Sequence, residues 1–216
     1  MAGFHVIPMN ASIRCLLTVG FVSALSVVAH ARIDRVVEKS FNVTGDGTLR
    51  VETHGGEIKV LPGKGSTVRI TAKQRINARD EAEADELLKK LELTFEQKGN
   101  DVAVVSKYER KPSGFRFRSW PPVQVNFEIE VPPGFASDLH TSGGAITLGD
   151  LEGEAKLRTS GGQIKIGSVG GRVEARTSGG GISLEEAHGP VASVAPGDKT
   201  LKVRTSISAL SNRGLE

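Results

Sequence analysis

Residues 141–184 read TSGGAITLGDLEGEAKLRTSGGQIKIGSVGGRVEARTSGGGISL, and one short motif recurs within them at a constant interval. The tetrapeptide Thr-Ser-Gly-Gly begins at positions 141, 159 and 177, which is a period of eighteen residues. After each copy two aliphatic residues stand two positions apart; the pairs are Ile146 and Leu148, Ile164 and Ile166, and Ile182 and Leu184. This alternation predicts strands with one buried face, and glycine favours the turns because it reaches positive φ without steric cost.

A unit of eighteen residues is too small to bury its own apolar face, so it has to stack on its neighbours. Stacked strands lie about 4.8 Å apart, which would place Ile146, Ile164 and Ile182 in one internal ladder. The repeat therefore predicts an all-β fold, namely a β-solenoid or β-helix-like stack with 18-residue rungs.

The repeat weakens towards the C-terminus and has one further copy upstream. Residues 195–198 read APGD where a fourth Thr-Ser-Gly-Gly is expected, and Leu201 and Val203 are one position out of phase. This fourth unit is either an atypical terminal cap, as stacked repeats require, or a truncated or frame-shifted tail. Residues 53–60, THGGEIKV, look like another copy in which His54 replaces serine.

The chain ahead of the repeats is rich in strands and contains one predicted helix. Period-two alternation predicts strands, which fall at 67–72, 91–95, 102–105 and 123–131, with Gly99-Asn100 as the turn of a hairpin. From about residue 78 to residue 91, apolar residues recur at helical spacing, and Asn77 is the expected N-cap. Acidic residues crowd the first half of this segment and lysines its end, which suits the helix dipole.

The N-terminus has the order of features that marks a secretory signal peptide. Residues 15–28 carry no charge, an arginine precedes them, and Ala29-His30-Ala31 supplies the small residues of a cleavage site. An uncleaved membrane anchor is the alternative, but a spanning helix needs about 20 apolar residues. We therefore expect residues 1–31 to be removed, together with the only cysteine, and the remainder to be exported to the periplasm, the cell surface or the medium.

The predicted division is a signal peptide at 1–31, a strand-rich part at 32–136 and the repeats at 137–216. Removal of the signal takes away one arginine and no acid, which leaves 27 Lys and Arg against 25 Asp and Glu. This near balance argues against a nucleic-acid-binding protein, which would carry a strong basic excess. No second apolar run of about 18 residues follows, so no transmembrane segment is expected after cleavage.

The order of these blocks resembles the DUF4097 family of exported bacterial β-strand repeat proteins, which are described as adhesins. The resemblance runs from about residue 40 to residue 206. It rests on LRVETHGGEIKV at 49–60, the acidic helix, VPPGF at 131–135 and the Thr-Ser-Gly-Gly units. It implies a β-helix-like fold and a location in the envelope or at the cell surface.

The ionisable residues do not form a pattern typical of an active site. Three histidines remain after residue 31, and none has another histidine or a cysteine at metal-ligand spacing; they are His54, His140 and His188. The acids of the repeats fall in different columns, whereas catalytic carboxylates must converge on one bond. We therefore expect no enzyme activity, no catalytic or metal-binding residue and no cofactor. A carbohydrate-active enzyme on a β-helix is the alternative.

Two features suggest binding. Arg158 and Arg176 occupy the same column, where like charges about 4.8 Å apart repel. Such a pair is either kept to bind anions or inherited through repeat duplication. The second feature is the basic-aromatic segment, residues 107–122, whose candidate binding residues are Tyr108, Phe115, Arg116, Phe117, Arg118 and Trp120. This segment is expected to carry the binding, unless it is a hairpin tip that covers the end of the stack.

The sequence thus predicts a non-catalytic, exported, adhesin-like binding or scaffolding module of the bacterial envelope or surface. Envelope glycan, anionic lipid head groups and another envelope protein are the candidate partners. The alternative is a purely structural or regulatory envelope protein that acts through protein contacts.

Overall fold

The structure is a computed structural model that describes residues 32–109, 122–194 and 202–203. The predicted signal peptide, residues 110–121 of the basic-aromatic segment and the APGD stretch lie outside the described residues. The first strands are β1 Arg32–Asn42, β2 Thr48–Thr53, β3 Ile58–Pro62, β4 Thr67–Asn77, β5 Leu91–Lys98, β6 Asp101–Tyr108 and β7 Val123–Val131. The later strands are β8 Ala136–Thr141, β9 Ile146–Leu148, β10 Ala155–Thr159, β11 Ile164–Val169, β12 Val173–Thr177, β13 Ile182–Ala187, β14 Val191–Val194 and β15 Lys202–Val203. The helix α1 spans Glu81–Leu88.

The strands form two mixed sheets, which confirms the all-β prediction. Sheet A has the order β1-β4-β7-β3-β9-β11-β13-β15, and sheet B has the order β14-β12-β10-β8-β2-β6-β5. From β8 onward, successive strands belong to sheet B and sheet A in turn, and each pairs in parallel with its neighbours. The antiparallel pairs lie towards the other end of the sheets; they are β1 with β4, β4 with β7 and β5 with β6.

The register of the parallel strands follows the sequence repeat. Ile164 pairs with Ile146 on one side and with Ile182 on the other, so each step is eighteen positions along the chain. All three isoleucines are buried, as the predicted ladder requires. Lys202 pairs with Ser183, which is nineteen positions away and agrees with the one-residue offset expected in the fourth unit.

The upstream copy of the repeat lies in the same columns as the later ones. Thr53 pairs with Thr141 in sheet B, and Ile58 pairs with Ile146 in sheet A. Ser137 pairs with Leu49, so sheet B continues without a break across the predicted boundary between residues 136 and 137.

The threonine of each Thr-Ser-Gly-Gly ties one turn to the turn of the preceding unit. The Thr159 hydroxyl donates to the Gly144 carbonyl oxygen at 2.8 Å and accepts from the Gly162 amide at 3.2 Å. Thr177 makes the equivalent pair of bonds one unit later. A Cβ at Gly162 would collide with the Gly144 carbonyl, because the two turns stack backbone on backbone. The threonine and the second glycine of the tetrapeptide are therefore explained by packing between units.

The core lies between the two sheets and is built from their inward-facing aliphatic residues. The largest fully buried side chains are Phe127, Phe135, Leu49, Ile58, Ile70, Ile76, Ile129, Leu139, Ile146, Leu148, Leu157 and Ile164. Several polar residues are buried as well, and among them the Ser137 hydroxyl has no hydrogen-bond partner within the described part of the chain. A buried hydroxyl without a partner destabilises the folded state.

The helix is shorter than the pattern predicts and begins later. Its N-cap is Asp80, whose carboxylate accepts from the Glu83 amide at 2.8 Å. The prediction of Asn77 as the N-cap is wrong, because Asn77 ends β4 and pairs there with Arg32. At the other end, Leu91 begins β5 instead of extending the helix. The strands predicted at 67–72 and 123–131 and the hairpin are confirmed.

Candidate functional site

The outward side chains of β8, β10 and β12 form two parallel columns, which we call the sheet B face. Each strand alternates a buried residue with a more exposed polar or charged one, so the outward residues of neighbouring strands come into register. The first column is Asp138, Lys156 and Glu174, and the second is His140, Arg158 and Arg176. The prediction that Arg158 and Arg176 share a column is therefore confirmed.

A carboxylate lies between the two arginines. Glu174 Oε1 is 3.1 Å from Arg158 Nη2 and 3.2 Å from Arg176 Nε. The hydrogen bond from Arg158 and the charges of both arginines hold the pKa of Glu174 below its ordinary value. The repulsion expected between the arginines is thus offset within the protein, by a residue on β12 two positions before Arg176.

The sequence analysis did not predict the contact of Glu174 with the arginines, because Glu174 belongs to the other column. Lys156 and Glu174 are indeed directly opposite each other across β10 and β12. The Arg158–Glu174 contact is a diagonal one, which long side chains reach across parallel strands. Counting diagonal neighbours as well as direct ones would have found it.

A shallow cleft of about 330 Å³ lies on the same face, beside Glu174. It is lined by Thr48, Ala136, Ser137, Asp138, Glu154, Ala155, Lys156, Arg172 and Glu174. Within the described ranges, neither Lys156 nor Arg172 forms a salt bridge or a side-chain hydrogen bond. The cleft therefore combines these two cations with three carboxylates, those of Asp138, Glu154 and Glu174. Lys156 attracts Glu174 electrostatically, and Asp138 pairs with Arg50.

The basic-aromatic segment is described only at its ends. Tyr108 ends β6, pairs with Leu91 and is 6% exposed, so its ring belongs to the core. Burial, and to a lesser extent the charge of Glu109, raises the pKa of its hydroxyl. Five candidate residues lie outside the described residues and stay predictions: Phe115, Arg116, Phe117, Arg118 and Trp120.

Sheet A carries a second carboxylate between two cations. Glu128 lies 3.2 Å from Lys59 and 3.1 Å from Lys73. The hydrogen bonds from Lys73 and Lys59 hold the pKa of Glu128 below its ordinary value. The cleft beside it, about 210 Å³, is lined by Glu57, Lys59, Lys73, Asn126, Phe127 and Glu128. Both of its cations are already paired with Glu128.

The histidines lie apart from one another. His54 Nδ1 accepts from the Tyr108 amide at 3.4 Å, His140 is exposed on the sheet B face, and His188 is 3.8 Å from Glu186. Within 32–109, 122–194 and 202–203, no three His, Cys, Asp or Glu side chains are grouped so as to hold a metal ion. In the same ranges, no helix combines the length and the apolar character needed to cross a membrane.

No family model and no curated protein matches the chain. Solved structures do match it. A proposed cell adhesion protein from Clostridium sporogenes aligns over 79% of this chain and 98% of its own length, at 11% identity and a TM-score of 0.47. A proposed adhesin from Parabacteroides distasonis aligns over 79% and 77%, at 8% identity and a TM-score of 0.32. The resemblance to the DUF4097 family stays a prediction.

Proposed function

We propose that the chain is an exported, non-catalytic binding and scaffolding module of the bacterial cell envelope. Its working surface is the sheet B face, and its body is the β-solenoid that the eighteen-residue register supports. The observation that carries the proposal is the alignment of His140, Arg158 and Arg176 on successive strands, which presents basic side chains one strand spacing apart.

The fold favours binding because it holds this surface in one arrangement. Parallel pairing fixes the spacing of the columns, and the threonine bonds fix each turn on the preceding one. A surface that is already ordered loses little conformational entropy when a ligand binds, which strengthens binding.

The state of the carboxylates supports a non-catalytic role. Glu128 and Glu174 are each held between two cations, and in both cases the pKa is lowered. A general acid needs a carboxyl group whose pKa is raised towards the working pH. These two groups are instead stabilised in the ionised form and act as partners in ion pairs.

The chemistry of the face favours an anionic partner, and among envelope components we propose a glycan. Arginine holds carboxylate and phosphate groups through its planar fork of donors. Attraction by several exposed cations raises the rate of encounter with a polyanion and weakens with salt.

Retention on an immobilised acidic polysaccharide tests the proposal. The purified exported chain should be retained on polygalacturonate at low salt, released at high salt, and not retained on neutral dextran. The length of the polysaccharide should be unchanged after prolonged incubation, and the mass of the chain should place Arg32 at its N-terminus. Failure to bind polygalacturonate would favour a purely structural role, and shortening of the polymer would favour the enzyme.

A further inference from the structure

We infer that Glu174 is an internal competitor at an anion-binding site on the sheet B face, and that the ligand of this site is a carboxylate-bearing polysaccharide. The inference rests on the proposed function and adds to it a residue that sets specificity and a class of ligand.

The contacts of Glu174 show how the site holds a carboxylate. One of its oxygens lies 3.1 Å from Arg158 Nη2 and 3.2 Å from Arg176 Nε, so guanidinium groups from two strands converge on it. An external carboxylate in the same place would meet the same donors. The side chain of Glu174 therefore occupies the position of the ligand when none is bound.

The bridge is exposed enough to be displaced. The side chains of Arg158 and Arg176 are 44% and 56% exposed, and that of Glu174 is 27% exposed. Ion pairs in such surroundings contribute little to stability because water and salt screen them. When an external carboxylate displaces the side chain of Glu174, the two arginines therefore remain paired with a carboxylate.

The neighbouring cleft explains why the ligand should be a polymer. A single carboxylate competes with Glu174, which is tethered in place and so has the advantage of a high local concentration. A chain of carboxylates also meets Lys156 and Arg172, the two cations of the cleft that form no salt bridge within the described residues. Among the carboxylates of the cleft, Asp138 is paired with Arg50, which leaves Glu154 to oppose the polymer. Several weak contacts made together overcome the tethered competitor, whereas one contact does not.

Glu128 on sheet A is the matched control for this argument. It too lies between two cations, at 3.2 Å from Lys59 and 3.1 Å from Lys73. Lysine is a point charge without the bidentate fork of arginine, and the cleft beside Glu128 has only these two cations in its lining. Glu128→Gln and Glu174→Gln change the net charge equally, so a difference between them reports on the site.

The test is a titration of the full exported chain with polygalacturonate at low salt. The polymer carries a fluorescent label, and the change in its fluorescence reports binding. Glu174→Gln should tighten binding by about threefold, in keeping with the small contribution of an exposed ion pair. Glu128→Gln should change the Kd by less than about 1.5-fold, and Arg158→Ala with Arg176→Ala should weaken binding by about tenfold. Monomeric galacturonate should compete only at far higher concentration. Urea melts of each variant confirm that it is folded.

Three results would overturn the inference. Equal tightening by the two glutamine variants would mean that binding follows net charge alone, and the proposed function would survive. Binding to phosphatidylglycerol vesicles without binding to polygalacturonate would assign the face to a membrane surface. Absence of polymer binding by both wild type and Glu174→Gln would remove the inference and the proposed function together.

Discussion

Replacing Thr159 with valine tests whether the threonine hydroxyls hold the stacked turns together. Thr159 is 5% exposed and lies on β10, in the middle of the stack. Valine has nearly the same shape and suits a strand equally well, so the backbone should not be disturbed. The substitution thus removes the hydroxyl and little else.

The magnitude follows from the two bonds that are lost. The hydroxyl donates to the Gly144 carbonyl at 2.8 Å and accepts from the Gly162 amide at 3.2 Å. Each hydrogen bond contributes about 1 kcal/mol net, and a buried partner left unsatisfied costs about 1–3 kcal/mol. Both glycines are partly accessible, so water replaces some of what is lost. We therefore expect the free energy of unfolding to fall by about 1–3 kcal/mol.

Urea unfolding followed by far-UV circular dichroism measures this change. The midpoint should fall while the slope m stays the same, because the surface exposed on unfolding is unchanged. Ser160→Ala is the control: Ser160 is the next residue and is exposed, so its replacement should change stability by less than about 0.5 kcal/mol. If Thr159→Val unfolds at the same urea concentration as wild type, the hydroxyls do not stabilise the stack and our reasoning about the repeat is wrong.

Three further predictions test the core and the ion pairs. Ile164→Ala should lower the free energy of unfolding by about 2–5 kcal/mol, because the side chain is fully buried between two neighbours of the ladder. Lys165 points outward, so Lys165→Ala should lower it by less than about 0.5 kcal/mol. Equal urea midpoints for the two variants would mean that the alternation is misassigned. Ser137→Ala should leave stability unchanged or raise it by up to about 1 kcal/mol in the same melt, because its buried hydroxyl has no partner in the described residues; a clear loss would reveal a bond to the hydroxyl. The lowered pKa of Glu128 means that its ion pairs stabilise the fold above the ordinary pKa of glutamate and that this is lost as pH falls through the lowered value. When the pH is lowered from about 6 to about 3, the melting temperature of Glu128→Gln should therefore fall less than that of wild type. An equal fall in the two proteins would contradict the ion pairing.

The repeat and its register could be predicted from the sequence because both depend on local alternation. Ile146, Ile164 and Ile182 stand one period apart, and parallel pairing brings residues one period apart side by side. The place of the upstream copy could not be predicted in the same way. Thr53 pairs with Thr141 across an insertion that includes the helix, and no period spans that distance.

The side-chain contacts were harder to predict because they depend on reach and direction. The Thr-Ser-Gly-Gly units were recognised as turns, but the bond from Thr159 to Gly144 joins two turns in separate units. The Glu174 bridge likewise depends on side chains that lean diagonally between strands. The helix start was misplaced because Asn77 and Asp80 are both acceptable N-caps by type, and strand pairing decides between them.

The most direct test of the account compares two pairs of arginines in one binding assay. The Kd for polygalacturonate at low salt is measured for wild type, for Arg158→Ala with Arg176→Ala, and for Arg116→Ala with Arg118→Ala. Both double variants remove the same net charge, so a difference between them does not come from net charge and reports on the position of the site. Because we propose the sheet B face as the site, in place of the basic-aromatic segment expected from the sequence, we predict that the sheet B pair weakens binding by about tenfold. The pair in the basic-aromatic segment should stay within about twofold of wild type. Loss of binding in the second pair alone would place the site in that segment and contradict the account.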